Sequence, residues 1–158
     1  SYDFYSLLLT GSEATSFLHK QTTYDIQNMI AGEFHLASML DPQGRVETYF
    51  WVLKRSDDYL LLVPKRILEQ TLARLHKFLI AEDVEIGEPH LEIWTILLGP
   101  KGASYLLDRK HLAFMGEIFE EEAILVQGEL SFSSNIIPME DVQQWRGLSG
   151  YPSLDGED

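Results

Sequence analysis

The stretch FHLASMLDPQGRVETYFWVL, Phe34 to Leu53, decides how the chain folds. Within Asp41-Pro42-Gln43-Gly44, proline stands second and glycine fourth, as a type I turn favours. Strand-forming residues flank it, so 34–40 and 45–53 read as the two arms of a β-hairpin. In the second arm Val46, Thr48, Phe50 and Val52 alternate with Glu47, Tyr49, Trp51 and Leu53. Both sets carry bulk, so both faces of this strand are expected to be covered.

Outward from the hairpin, Ser56-Asp57-Asp58 marks a turn into a third strand, Tyr59 to Val63, which makes a three-stranded meander. Pro64 suits the first turn of a helix whose Ile67, Leu68, Leu72, Leu75, Phe78 and Leu79 fall on one stripe to pack on the sheet. Upstream, Phe4 to Leu9 reads as a strand ending at Thr10-Gly11. A helix follows, with Ser12 as its cap, Glu13 in its first turn and Ala14, Phe17 and Leu18 on its buried face. Asp25 is a second cap candidate, before a helical turn at Ile26, Met29 and Ile30. Downstream, Val84 to Ile86 and Glu92 to Leu98 read as strands and Ala103, Leu106 and Leu107 as a short helix. Ile124 to Val126 pairs with Leu130 to Phe132 in a second hairpin, and Met139 to Leu148 forms a last helix. The fold class is α+β, with antiparallel or mixed sheets and packed helices, over residues 1–158 and with a subdivision near 88–92.

The chain has 158 residues, 25 acids against 12 bases for a net charge of −13, and no cysteine. A chain of this length buries roughly 68–70% of its unfolded surface and forms a core without disulfides. Lack of cysteine excludes thiolate zinc sites, iron–sulfur ligation and thiol nucleophiles from these residues. The negative charge repels phosphate backbones and argues against direct nucleic-acid binding, a local basic spot apart. Apolar runs such as Ile93 to Leu98 fall far short of the roughly 20 residues that span a bilayer, and no secretory signal is evident. No membrane association is expected, and the expected location is cytoplasmic.

No phosphate loop, dinucleotide fingerprint or HExxH motif occurs, and the five histidines at 19, 35, 76, 90 and 111 are scattered. His35 lies on a hairpin arm, where a structural role outweighs a catalytic one. Glu120-Glu121-Glu122 and the ending Asp155-Gly156-Glu157-Asp158 read as solvated acidic segments rather than metal ligands. Tyr49, Trp51 and Tyr59, with Phe4 nearby, gather aromatic surface that either packs the sheet or stacks on a planar ligand.

The run from Leu8 to Ile26, LLTGSEATSFLHKQTTYDI, resembles the LxGxDAxxFLQGQxTxDV opening of the folate-binding aminomethyltransferase superfamily, which holds the glycine cleavage T-protein and the YgfZ-type proteins. Ala37 to Val52 is similar to that family's KGR hairpin. Leu72 to Ile86 resembles its LxKYxxxxxVxI helix end, and Gln143 to Pro152 its RIxAGxP helix and turn. The T-protein hairpin carries a pair of aspartates, the second near the reactive folate nitrogen. Here Thr48 and Tyr49 stand in their places, so the YgfZ-type branch fits better. The YgfZ-type KGCYxGQE signature is absent, and the chain resembles the N-terminal portion, roughly half, of a family member.

The resemblance implies a tetrahydrofolate cofactor and a role in maintaining or assembling iron–sulfur proteins and in the tRNA modification that depends on them. Folate and iron–sulfur proteins are the implied partners, and the chain is not expected to be a conventional enzyme. By position, the implied folate wall is Phe4, Leu36, Tyr49, Leu60 and Leu62, with Gln21, Thr23 and Asp25 as turn residues. Two alternatives remain. One is a folate-dependent aminomethyltransferase using Glu47, which alternation places on the face of Tyr49. The other is a partner-binding remnant without ligand.

Overall fold

In the computed structural model, residues 2–98, 112–118 and 120–128 are described. The hairpin forms as its turn chemistry requires. Gly44 adopts φ +82° and its N–H donates to the Asp41 carbonyl at 2.9 Å, while the Asp41 carboxylate accepts the N–H groups of Gln43 and Arg45. Its arms are β2 (Phe34–Leu40) and β3 (Val46–Lys54), and β4 (Tyr59–Pro64) completes the meander. Before it come β1 (Tyr2–Thr10) and α1 (Ala14–Gln21). After it come α2 (Leu68–Phe78), β5 (Glu85–Ile86), β6 (His90–Leu98), β7 (Ala113–Ile118) and β8 (Glu121–Gln127). The α+β expectation holds.

The strands run in the order β2-β3-β4-β1-β6-β8-β7, every neighbouring pair antiparallel, with β5 on the end of β1. The two edges then meet. Glu33 and Met115 form a parallel bridge, and the Met115 N–H donates to the Gly32 carbonyl at 2.7 Å. The sheet therefore curls into a barrel joined at this bridge, which shortens the open edges that would invite association. Phe4, Phe34, Trp51, Leu53, Leu62, Trp94, Ile96, Phe114 and Leu125 from all seven strands fill its interior. Two ring pairs lock it, Phe34 against Trp51 at 5.5 Å and Trp94 against Phe114 at 6.2 Å. Each such buried side chain contributes roughly 1.5–3 kcal/mol.

The outer face of β1 to β4 carries Leu7, Leu9, Met39, Phe50, Val52, Leu61 and Val63. Over them lie Phe17 and Leu18 of α1, Ile26 and Met29 of a 3-10 turn, and Leu75 of α2. Both faces of β3 are thus covered, as its two bulky sets demand.

Several local expectations need correction. Ser12 does not cap α1: its hydroxyl donates to the Asp83 carboxylate at 2.7 Å, and Glu13 takes the cap position without a side-chain bond. Asp25 precedes the 3-10 turn but makes no cap bond, holding Asn28 and His19 instead. Pro64 ends β4, and a 3-10 turn over Lys65–Ile67 intervenes before α2. Phe78 leaves the packed stripe and lies 36% exposed beneath Arg74. Strand β8 pairs with β6 and β7, while the arm expected at 130–132 and the helices expected at 103–107 and 139–148 lie outside the described residues. Among the described residues, no helix is long and apolar enough to cross a membrane.

Candidate functional site

Side chains alternate between the barrel interior and the helix-covered exterior, so strand parity decides which residues can share a site. Phe4, Leu36, Leu60 and Leu62 all belong to the interior set. Tyr49, two residues before Trp51 on β3, projects to the same side. The five residues that the family resemblance points to therefore share one face. They stand at three levels. Leu36 faces Trp51, which faces Leu62, in the middle. Leu60 lies one step to one end, opposite Leu53 and Leu8. Phe4 faces Pro64 and Tyr49 faces Ser38 at the other end, so the two rings sit at one level. Tyr49 and Leu60 are about 13 Å apart along the strands, by four residues at ~3.3 Å each. Phe4 and Leu62 are sealed at 1% and 0% exposure, whereas Tyr49 and Leu60 each retain 8% and Leu36 is half-buried.

Beside Phe4 the interior turns polar. Glu92 faces Phe4 across β1 and β6. Its carboxylate accepts the Ser6 hydroxyl at 2.8 Å on one oxygen and the Gln127 amide at 2.7 Å on the other. Trp94, fully buried two residues further along, has an indole N–H with no hydrogen-bond partner among the described residues. Sequence reading missed this group. Ser6 and Glu92 are 86 residues apart and Glu92 and Gln127 are 35, so no local pattern joins them.

Two sequence expectations about this face change, those for Tyr59 and Glu47. Tyr59 is not part of the aromatic surface: it points outward, bonds Thr15 at 2.7 Å and lies under the Lys54 ammonium. Thr48 also faces outward, fully buried against Thr71 of α2. Glu47 does not share the face of Tyr49. The register slips between Met39 opposite Thr48 and Leu40 opposite Val46, which leaves Glu47 as the extra residue of a β-bulge. Its carboxylate turns to α2 and pairs with Arg74, which also donates to the Leu40 carbonyl at 2.8 Å. An acid poised at the inner face from Glu47 is thereby lost.

The opening-motif residues hold turns. The Thr23 N–H donates to the Ser38 carbonyl at 2.9 Å and its hydroxyl accepts the Ser38 N–H, while Asp25 lies 3.5 Å from His19. Gln21 ends α1. His35 stacks on Tyr24 at 4.1 Å, and its Nε2 meets the Tyr24 hydroxyl at 3.0 Å. Burial pushes the His35 imidazole below its ordinary range, against the raising effect of Glu33 and Glu117. Among the described residues, no cluster of three or more histidine, aspartate or glutamate side chains could hold a metal ion.

No family model matches the chain. The tRNA-modifying protein YgfZ of Colwellia psychrerythraea is 30% identical over 108 residues, covering 68% of this chain and 33% of that protein. An uncharacterised protein of Haemophilus influenzae is 30% identical over 88 residues, covering 55% of this chain and 30% of that protein. The matched stretch thus spans about a third of each relative's length. Among solved structures, the glycine cleavage system aminomethyltransferase T from Bartonella henselae matches with a TM-score of 0.58 at 12% identity, over 93% of this chain and 42% of that one. Sequence likeness to YgfZ and structural likeness to the aminomethyltransferase agree, and the chain has a YgfZ-like fold of the aminomethyltransferase superfamily.

Proposed function

We propose that these residues form the N-terminal portion of a tetrahydrofolate-binding protein of YgfZ type, with Tyr49, Leu36 and Leu60 as the ligand's contacts and Phe4 and Leu62 as their backing. The observation that carries this reading is the common face. Five positions chosen by family resemblance on four different strands project to one side of the sheet. Tyr49 offers a ring to a planar pteridine, and Leu36 and Leu60 offer apolar contact along its length. The protein acts in the cytoplasm in iron–sulfur protein maintenance, and through it in tRNA modification. The name of the Colwellia relative supports the tRNA-modification part of that assignment alone. A net charge of −13 favours an indirect route to tRNA over direct contact.

Of the chain's three tryptophans, Trp51 and Trp94 lie on this face. Titration with 5-formyltetrahydrofolate should quench their emission saturably, and folate-free buffer with matched absorbance should not. A titration with no saturable change would remove the reading for these residues.

A further inference from the structure

On the barrel's outer surface, where β2 meets β7, lies a cleft of about 640 Å³. That is ample for a side chain of a partner, and it lies on the opposite side of the sheet from the inner wall discussed above. One wall is the stacked pair Tyr24 and His35. The other is acidic. Glu117 and Glu122 stand directly opposite each other on β7 and β8, and the parallel bridge of Glu33 to Met115 carries Glu117 alongside His35. Like charges directly opposed across a strand pair repel, with Cβ atoms only about 5 Å apart, and among the described residues neither carboxylate forms an ion pair. The field reaches the ring wall, because after burial itself the carboxylates of Glu33, Asp25 and Glu117 raise the Tyr24 phenol above its ordinary value. At the rim Ile30 and Met115 are 66% and 47% exposed.

We propose that this cleft docks an arginine side chain presented by a partner polypeptide. A guanidinium is planar, stacks on aromatic faces and donates in a fork to carboxylates, so one group satisfies both walls and relieves the Glu117–Glu122 repulsion. The exposed Ile30 and Met115 then contact apolar residues flanking that arginine, which a free small cation lacks. The chemistry is independent of folate.

The test is NMR on the isotopically labelled chain, titrated with a capped Leu-Arg-Leu peptide, the same peptide with citrulline for arginine, and capped arginine alone. The arginine peptide should shift the backbone signals of Gly32, His35, Met115 and Glu117, bind at least roughly tenfold more tightly than the neutral citrulline isostere, and exceed capped arginine. The exposed double substitution Glu117→Gln with Glu122→Gln should abolish that preference while leaving the remaining spectrum intact. Equal binding of the arginine and citrulline peptides, absence of shifts at those residues, or a preference that survives the double substitution would each overturn the proposal. Capped arginine binding as tightly as the peptide would overturn the polypeptide as its source.

Discussion

Replacing Gly116 by alanine probes the closure of the barrel. Gly116 sits on β7 where that strand crosses β2, and a Cβ built there comes 2.5 Å from the Phe34 carbonyl oxygen and 3.0 Å from its ring. Real Cβ contacts do not fall below 3.0 Å, so the two strands must part by at least half an ångström. The carbonyl is backbone and cannot rotate away. The strain falls on the Met115 to Gly32 hydrogen bond at 2.7 Å and on the Phe34 to Trp51 ring pair behind it. Overpacking of this kind costs about 1–3 kcal/mol, or roughly 2–12 °C in melting temperature for a chain of this size. Gly87 is the control. A Cβ there meets nothing closer than 3.5 Å, so Gly87→Ala should be neutral or slightly stabilising through the unfolded chain. Urea denaturation monitored by tryptophan emission measures both. Equal midpoints for the two variants would refute the closed seam.

Other outcomes follow from the same geometry. Leu62, at 0% exposure in the barrel interior, should lose about 2–5 kcal/mol on Leu62→Ala, and a loss below about 1 kcal/mol in urea would contradict a sealed core. The bulge clamp should show a coupling of about 0.5–1 kcal/mol between Glu47→Gln and Arg74→Met in a double-mutant cycle, since the pair is partly exposed; zero coupling means Glu47 does not turn to α2. The Arg45 N–H first, then the Arg45 guanidinium and the Gln43 N–H, hold the Asp41 carboxyl below its ordinary value. A carboxylate lowered on folding adds stability above its unfolded pKa of about 4, and that stability is lost as pH falls through the lower folded value. The difference in urea midpoint between the wild type and Asp41→Asn should therefore shrink on acidification below about pH 4; a pH-independent difference would count against the turn's hydrogen bonds.

How much was legible in the sequence depended on whether the signal was local. Pro42 and Gly44 fix the hairpin because each answers a conformational demand inside four residues, and the alternation of β3 announces two covered faces. Strand β7 was invisible because Gly116 interrupts its apolar alternation, and that glycine is required by contact with Phe34, which lies 82 residues earlier. The bulge at Glu47 follows from pairing with β2, so alternation alone assigned its side chain to the wrong face. Tyr59 was misplaced because facing of one strand against another depends on register. The five wall positions came from resemblance, since the Phe4, Leu36, Leu62 grouping joins strands whose neighbours are set by the closed sheet. The polar group of Ser6, Glu92 and Gln127 had no signature at all.

Equilibrium dialysis of the protein expressed from its complete gene against radiolabelled tetrahydrofolate, beside Tyr49→Ala and Ile80→Ala, tests the central claim most directly. Ile80 is 86% exposed and away from the inner face, so its variant should bind as the wild type does. Loss of the stacking ring should weaken binding about tenfold, since an aromatic pair is worth about 0.5–1.5 kcal/mol beyond its buried area. Saturable wild-type binding with that loss for Tyr49→Ala is the predicted result; no binding, or equal binding by all three proteins, would contradict the account.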